Sequence, residues 1–509
     1  MLDIARLDQQ IRDYLARYHV PAMAVAVLKG ERMLYSGGFG ITHIEEGSPV
    51  TTRTLFRVGS LTKVLTAVAL LRLVDQRYLD LDVPIHSYTP ELRFSRPDLA
   101  QVITLRMLMS HLAGLPTDWE HQGTRDPDGL ERHMREDIPH YVPHSPPGVM
   151  YHYSNPGMNI AGYIASKISN LSFTTLMQDI VFDPLGMHHT TFDPLVAMTY
   201  PLALSHRLEH DRLLVEHAPV ENTAHYPSGF AFSTVEDLSI FARMLLQKGR
   251  HQNQQFLSRA LVAEMQTPQI PIGQDMPHHY GLPFVIGLYK GYRRIYHEGK
   301  IQNYHATLEM FPDSGVAAIV LTNRISRRYT PFLLSSRLFE HLLVPDSPPR
   351  SSPLPLTGRF LSRQNGQVVL TPTDNGLVVR KDDDTPSNSR LSSDLTEVER
   401  ICIYDTDTVF VGLYRYDRMY NPEPRPVSTS LGGRYQCHNT ALELMVEDNR
   451  LLAQADMFGG LLFFYAVGEY IFISETNITL RFVFQDESET PSGFLLGQML
   501  RFRRIDTDW

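Results

Sequence analysis

At 509 residues the chain exceeds the size of a single hydrophobic core, so two or three domains are expected. Its 43% hydrophobic and 20% charged residues are those of an ordinary globular protein. A formal charge of −9 gives no electrostatic reason to expect nucleic acid or an anionic membrane as a partner, because phosphate binding needs a concentrated positive field. The first twenty residues space Ile4, Leu7, Ile11 and Leu15 at helical intervals among acids and arginines, which predicts an amphipathic surface helix. In "AMAVAVLKGERMLYSGGFG" two β-rich runs flank Lys29 and Gly30, a hairpin packed by that helix. Strand and helix patterns then alternate to about residue 345. The stretch "DSPPRSSPLP" at 346–355, crowded with proline and serine, reads as an interdomain linker.

Beyond the linker, short alternating runs such as "GQVVLTP", "TVFVGLYRY" and "EYIFISE" predict an all-β region. "LTGRF" from Leu356 and "LGGRY" from Leu431 stand 75 residues apart, an internal echo. Two antiparallel barrels, 356–428 and 429–509, are the expectation, with one larger barrel as the alternative. The chain shows neither the uninterrupted apolar stretch nor the cleavage site of a signal peptide. Its longest apolar runs, "VLTAVALL" and "LLFFYAVG", fall far short of the roughly 20 residues that span a bilayer. With Cys402 and Cys437 the only cysteines, there is no disulfide framework, and a cytoplasmic setting is expected.

The chemistry concentrates in "FRVGSLTKVL", where Ser60 and Lys63 stand three apart at the head of an apolar helix. Residues i and i+3 share a helix face, which brings hydroxyl and amine within hydrogen-bond reach. Serine is a weak nucleophile until something accepts its proton, and lysine accepts it only when desolvation or nearby cations keep its amine neutral. A buried helix start supplies that desolvation, and its free N–H groups and positive dipole end suit a developing oxyanion. S-x-x-K alone is a common pattern with an ordinary alternative, a serine N-cap and a lysine snorkelling from the first turn. Two further clusters stand in order behind it: Tyr153-Ser154-Asn155 within "YHYSNPGMN", and His297-Glu298-Gly299 at the start of "HEGKIQNYHATLEMF".

With these three motifs the sequence resembles the serine β-lactamase and penicillin-binding-protein superfamily, in particular its class C-like esterase and D-aminopeptidase branches. S-x-x-K matches the first motif, Y-S-N the second, and His297-Glu298-Gly299 the H-x-G form of the third. "SHLAGLP" at 110–116, "DPLGM" at 183–187 and "PSGFAFSTVEDLSIFARML" at 227–245 agree as well. The resemblance implies an α/β (α+β) transpeptidase-like domain over 1–345, an antiparallel sheet flanked by helices. The all-β tail is similar to the double lipocalin-like barrels of D-stereospecific aminopeptidases. Ser60 is then expected to form an acyl-enzyme, with Lys63 and Tyr153 relaying its proton to the leaving group. Asn155 would hold the Lys63 amine and offer its amide to substrate. The backbone N–H groups of Ser60 and of Lys300, the residue after Gly299, would form the oxyanion hole.

His297 stands where a lysine is commoner. Imidazole is largely neutral at pH 7, so a substrate carboxylate should matter less, which favours amides, esters or short peptides over penicillins. Asn303 and Tyr304 replace a glycine–aromatic pair, and asparagine tolerates the left-handed backbone that such a turn needs. Glu298 and Lys300 put charge beside the site. The expectation is therefore a serine hydrolase, a D-stereospecific aminopeptidase or related peptidase, acting on a small molecule or short peptide. A carboxylesterase and a penicillin-binding-protein-type thioesterase that releases or cyclises peptides are alternatives, and a true β-lactamase or an inactive scaffold remain behind them. No cofactor and no metal are expected: His188-His189 and His278-His279 adjoin no metal-binding pattern, and G-x-S-x-G, Walker and dinucleotide fingerprints are missing. A homo-oligomer is compatible with the sequence.

Overall fold

The computed structural model describes residues 4–325 except the loops 119–121, 210–211, 273–277 and 290–291, and beyond them Phe339 and the backbone of strands between 358 and 504. The chain divides into two compact units, Met1–Pro349 and Arg350–Trp509. In chain order the first contains α1 (Ile4–Tyr18), β1 (Ala22–Lys29), β2 (Arg32–Gly40), β3 (Phe56–Arg57), α2 (Leu61–Asp75), α3 (Asn155–Ser169) and α4 (Val235–Leu246). The strands β4 (Ile270–Pro271), β5 (His279–Tyr280), β6 (Val285–Tyr289), β7 (Tyr292–Ile301), β8 (Tyr304–Phe311) and β9 (Val316–Thr322) follow. Eight of these strands form one antiparallel sheet in the order β2-β1-β9-β8-β7-β6-β5-β4.

The sheet is covered on both faces, which is why β1 and β9 read as near-continuous apolar runs, while β8 buries His305, Thr307 and Glu309 between its apolar residues. Ala22, Ala24, Ala26 and Leu28 face the large core around α2 and α4, while Met23, Val25 and Val27 face Leu7 and Ile11 of α1. The hairpin around Lys29 and Gly30 and its packing helix are therefore as expected. Ile4, the first residue of α1, departs from the pattern, being 53% exposed.

Helix α2 is buried on nearly every side, from Leu61 through Leu71. Strand β3 delivers it: Phe56 and Arg57 pair with Ser233 and Phe232, and the next residue, Val58, donates to the Ala231 carbonyl. Arg57 fixes this joint from within. Its guanidinium is 2.5 Å from Glu221, donates to the carbonyls of Val220 and Phe230, and lies 3.9 Å over the Phe232 ring, all out of water.

Among the described residues no helix is long and apolar enough to cross a membrane. In the second unit the backbone forms a six-stranded antiparallel sheet and a closed barrel of eight strands, which open at Gly358–Ser362 and Gly433–Cys437, the two echoed segments. The proline- and serine-rich stretch 346–355 lies outside the described residues.

Candidate active site

The chain turns into α2 at Gly59, whose φ of +52° is left-handed. A Cβ there would also stand 2.5 Å from the Lys300 amide nitrogen, so glycine is required twice over. Ser60 follows with φ −65° and ψ −4°, already helical, and its side chain caps no backbone N–H. The ordinary alternative of a capping serine is thereby excluded, since the hydroxyl is not spent on the helix. Nor does Lys63 snorkel, for it is fully buried.

Lys63 Nζ lies 3.0 Å from Ser60 Oγ, 2.7 Å from Asn155 Oδ1 and 2.6 Å from the Ser228 carbonyl oxygen. Burial drives its pKa well below the usual lysine range. A neutral amine has two N–H donors and one lone pair. The two carbonyl-type oxygens can only accept and so take the donors, which leaves the lone pair to accept from the Ser60 hydroxyl.

The second motif arrives at the N-terminus of α3. Ser154 caps it, accepting from Gly157 N at 3.1 Å and donating to Pro116 O at 2.8 Å, which fixes Tyr153 and Asn155 on either side. Asn155 Nδ2 donates to the Asp118 carbonyl, and this sets which end of its amide meets Lys63. The Tyr153 hydroxyl hydrogen-bonds the Ser60 side chain, and its ring lies 4.9 Å from Lys63 Nζ. Burial raises the Tyr153 pKa, with the Ser60 hydrogen bond opposing, so this group stays a phenol.

From the sheet edge, Gly299 of β7 runs against the helix start. A Cβ on it would collide with Val58 O and press on the Ser60 amide nitrogen at 2.9 Å. The strand backbone at Gly299-Lys300 and the Ser60 backbone are thus neighbours, the juxtaposition a pair of converging N–H donors needs. Gly299→Ala should force β7 off the helix start. A loss of about 1–3 kcal/mol in chemical denaturation together with reduced turnover is expected, and an unchanged kcat/KM would show that this approach is not needed.

His297 is buried with both ring nitrogens engaged: Nε2 is 2.8 Å from the Tyr280 hydroxyl and Nδ1 is 2.7 Å from the Glu298 carbonyl. Burial first, and then the charge of Lys63, push its pKa down to about 3. Tyr280 in turn is 3.1 Å from His111 Nε2, while His111 Nδ1 receives the Ser154 N–H at 3.1 Å. A backbone N–H can only donate and a carbonyl can only accept, so the chain has one direction: Ser154 N–H to His111, His111 Nε2–H to Tyr280, Tyr280 O–H to His297, His297 Nδ1–H to Glu298 O. This neutral relay joins the second motif to the third. His111, held at φ +60°, and Tyr280 are the site residues the sequence reading missed, although "SHLAGLP" had marked the neighbourhood of the first.

The residues around the third motif divide between the two faces of the strand and the turn that follows it. Glu298 and Lys300 alternate with His297 and Gly299 along β7, so their side chains lie on the opposite face of the sheet. There the Glu298 carboxylate accepts from His305 at 3.0 Å. Desolvation alone would raise its pKa, but this bond and the nearby cations hold it down at about 2. The left-handed residue of the β7–β8 turn is Gln302 at φ +52°, not Asn303. Asn303 is tied to Glu216 at 2.8 Å, and Tyr304 is buried with its hydroxyl on the Ala203 carbonyl.

The Beta-lactamase family model matches residues 7–330. Penicillin-binding protein 4 of Amycolatopsis lactamdurans is 28% identical over 63% of this chain and 85% of its own length. Protein flp of Staphylococcus aureus (strain MW2) is 22% identical over 66% of this chain, which spans 65% of that relative. Among solved structures, that of SurE with D-Leu superposes with a TM-score of 0.62 at 19% identity, covering 98% of this chain and 99% of that one. With more than half of its residues matched by the family model and the motifs of that family assembled around one serine, the chain belongs to the Beta-lactamase family of serine β-lactamases and penicillin-binding proteins.

Proposed function

We propose that the protein is a D-stereospecific aminopeptidase or a related peptidase that cleaves amide or ester bonds through an acyl-enzyme on Ser60. The observation that carries this reading is Lys63: a fully buried amine, its pKa pushed well below the usual lysine range by burial, held by Asn155 Oδ1 and the Ser228 carbonyl at 3.0 Å from the Ser60 hydroxyl. As Ser60 Oγ attacks the carbonyl carbon, its proton passes to Lys63 Nζ. The oxyanion is met by the N–H groups of Ser60 and Lys300. Tyr153, a neutral phenol on Ser60, gives its proton to the leaving nitrogen or oxygen and is reprotonated from Lys63. Water then hydrolyses the ester by the reverse proton path.

His297 acts as a positioning residue through Tyr280. Uncharged and with both nitrogens engaged, it supplies no cation for a substrate carboxylate, which supports an amide, ester or short peptide over a penicillin. The likeness to SurE with D-Leu over the length of both chains supports a D-residue at the scissile bond. In this reading residues 1–345 carry the chemistry, 346–355 link, and 356–428 and 429–509 are two β units of the tail.

Matched D- and L-aminoacyl p-nitroanilides test the proposal. Turnover of the D-series should exceed that of the L-series by at least about tenfold, roughly 1.4 kcal/mol of discrimination. No D-preference combined with brisk hydrolysis of simple esters would make the protein a carboxylesterase.

A further inference from the structure

Behind Asn155 the fold gathers three groups that no local spacing announces. Asp118 follows the loop that carries Thr117, His133 sits in the helix Gly129–Glu136, and His225 ends the turn Thr223–His225. One ligand-capable atom from each lies within 4.8 Å of the other two. His225 Nε2 and Asp118 Oδ2 are 3.5 Å apart, close to the ~3.4 Å that separates neighbouring ligands of a tetrahedral ion at bonds of about 2.1 Å.

His133 supplies the independent sign. It is 3% exposed, its Nδ1 is turned to the Asp137 carboxylate at 2.7 Å, and its Nε2 has no hydrogen-bond partner among the described residues. With Nδ1 taken by Asp137, Nε2 is the nitrogen left to meet a ligand, on a ring whose centroid is 5.1 Å from that of His225. A buried imidazole nitrogen without a partner costs about 1–3 kcal/mol unless something occupies it.

The outer contacts are those that ligating histidines need. His133 Nδ1–H can donate to Asp137. His225 Nδ1 is 3.0 Å from the amide of Asn159, a residue with no exposure whose Oδ1 is otherwise unsatisfied. Turning that amide over lets Oδ1 accept Nδ1–H, which satisfies the oxygen and leaves the His225 Nε2 lone pair inward. The Tyr141 hydroxyl steadies Asp118 at 2.6 Å.

We propose that Asp118, His133 and His225 bind one Zn²⁺ ion through the carboxylate and the two Nε2 atoms, with water completing a tetrahedron. The ion is structural. It pins Asp118, whose carbonyl receives Asn155 Nδ2, and Asn155 Oδ1 receives Lys63, so the ion braces the second motif from behind.

The full-length protein, stripped with a chelator and dialysed, is titrated with ZnCl₂ by calorimetry and with Co²⁺ by visible absorption. One Zn²⁺ per chain and the strong d–d bands of tetrahedral Co²⁺ are expected, with both lost in His133→Ala. Because His133 is buried, Asp137→Asn serves as the variant that spares the core: its Zn²⁺ affinity should fall about 10–100-fold. Wild-type protein that binds no Zn²⁺, binding unchanged in His133→Ala, or affinity unchanged in Asp137→Asn would each overturn the site.

Discussion

Ser60→Ala is expected to yield a folded protein whose kcat is lower by about 10⁴–10⁶, the loss seen when a serine nucleophile is removed. The structure separates activity from stability unusually cleanly at this position. The Ser60 side chain caps no N–H of α2, so the roughly 0.5–2 kcal/mol that a capping serine contributes is not at stake. What goes is the atom on which Lys63 and Tyr153 converge. The same variant removes covalent labelling: a fluorophosphonate should leave its adduct on Ser60 of the wild-type chain, located by mass spectrometry, and on no residue of the variant. Comparable turnover in Ser60→Ala, or an adduct mapped to another residue, would end the acyl-enzyme reading.

The parts of this site that could be read from the sequence are those whose geometry is local. Ser60 and Lys63 meet because a helix places i and i+3 together, whereas Asn155, 92 residues away from Lys63, was legible only through the resemblance of its Y-S-N motif. Gly299 was readable as a motif residue, but the reason for it, the collision of any Cβ with Val58 O, exists only once β7 lies on the helix start. His111 and Tyr280 come from distant segments and meet only in the folded chain, so no spacing could have joined them to His297. The fate of Glu298 and Lys300 was available in principle, since strand alternation sends them away from the face His297 occupies. The turn at Gln302 was not: Asn303 is the better left-handed residue by composition, but its side chain is held by Glu216 and the positive φ falls on Gln302, whose amide reaches Ala218 and Val220. Tertiary partners overrode local preference there.

Lys63→Met is expected to lower kcat/KM by about 10²–10⁴, the usual worth of a positioned base, while preserving most of the side-chain volume. Lys63→Arg should not rescue it, because a guanidinium does not surrender its proton at working pH. The pH dependence distinguishes a base from a mere packing group. Burial lowers the Lys63 pKa, so kcat/KM should rise as pH climbs through that lowered value and the amine becomes neutral. Stability carries the same signature. The unfolded lysine titrates near 10.4, above the folded one, so between the two values the unfolded chain binds more protons and the wild type loses stability as pH falls. Lys63→Met removes that slope and replaces it with a pH-independent cost of about 1–3 kcal/mol for each carbonyl, on Asn155 and Ser228, that loses its donor. The unfolding free energy of the wild type relative to Lys63→Met should therefore increase from about pH 7 to pH 10. A flat difference across that range would mean that Lys63 is charged in the folded state and cannot be the group that takes the proton from Ser60.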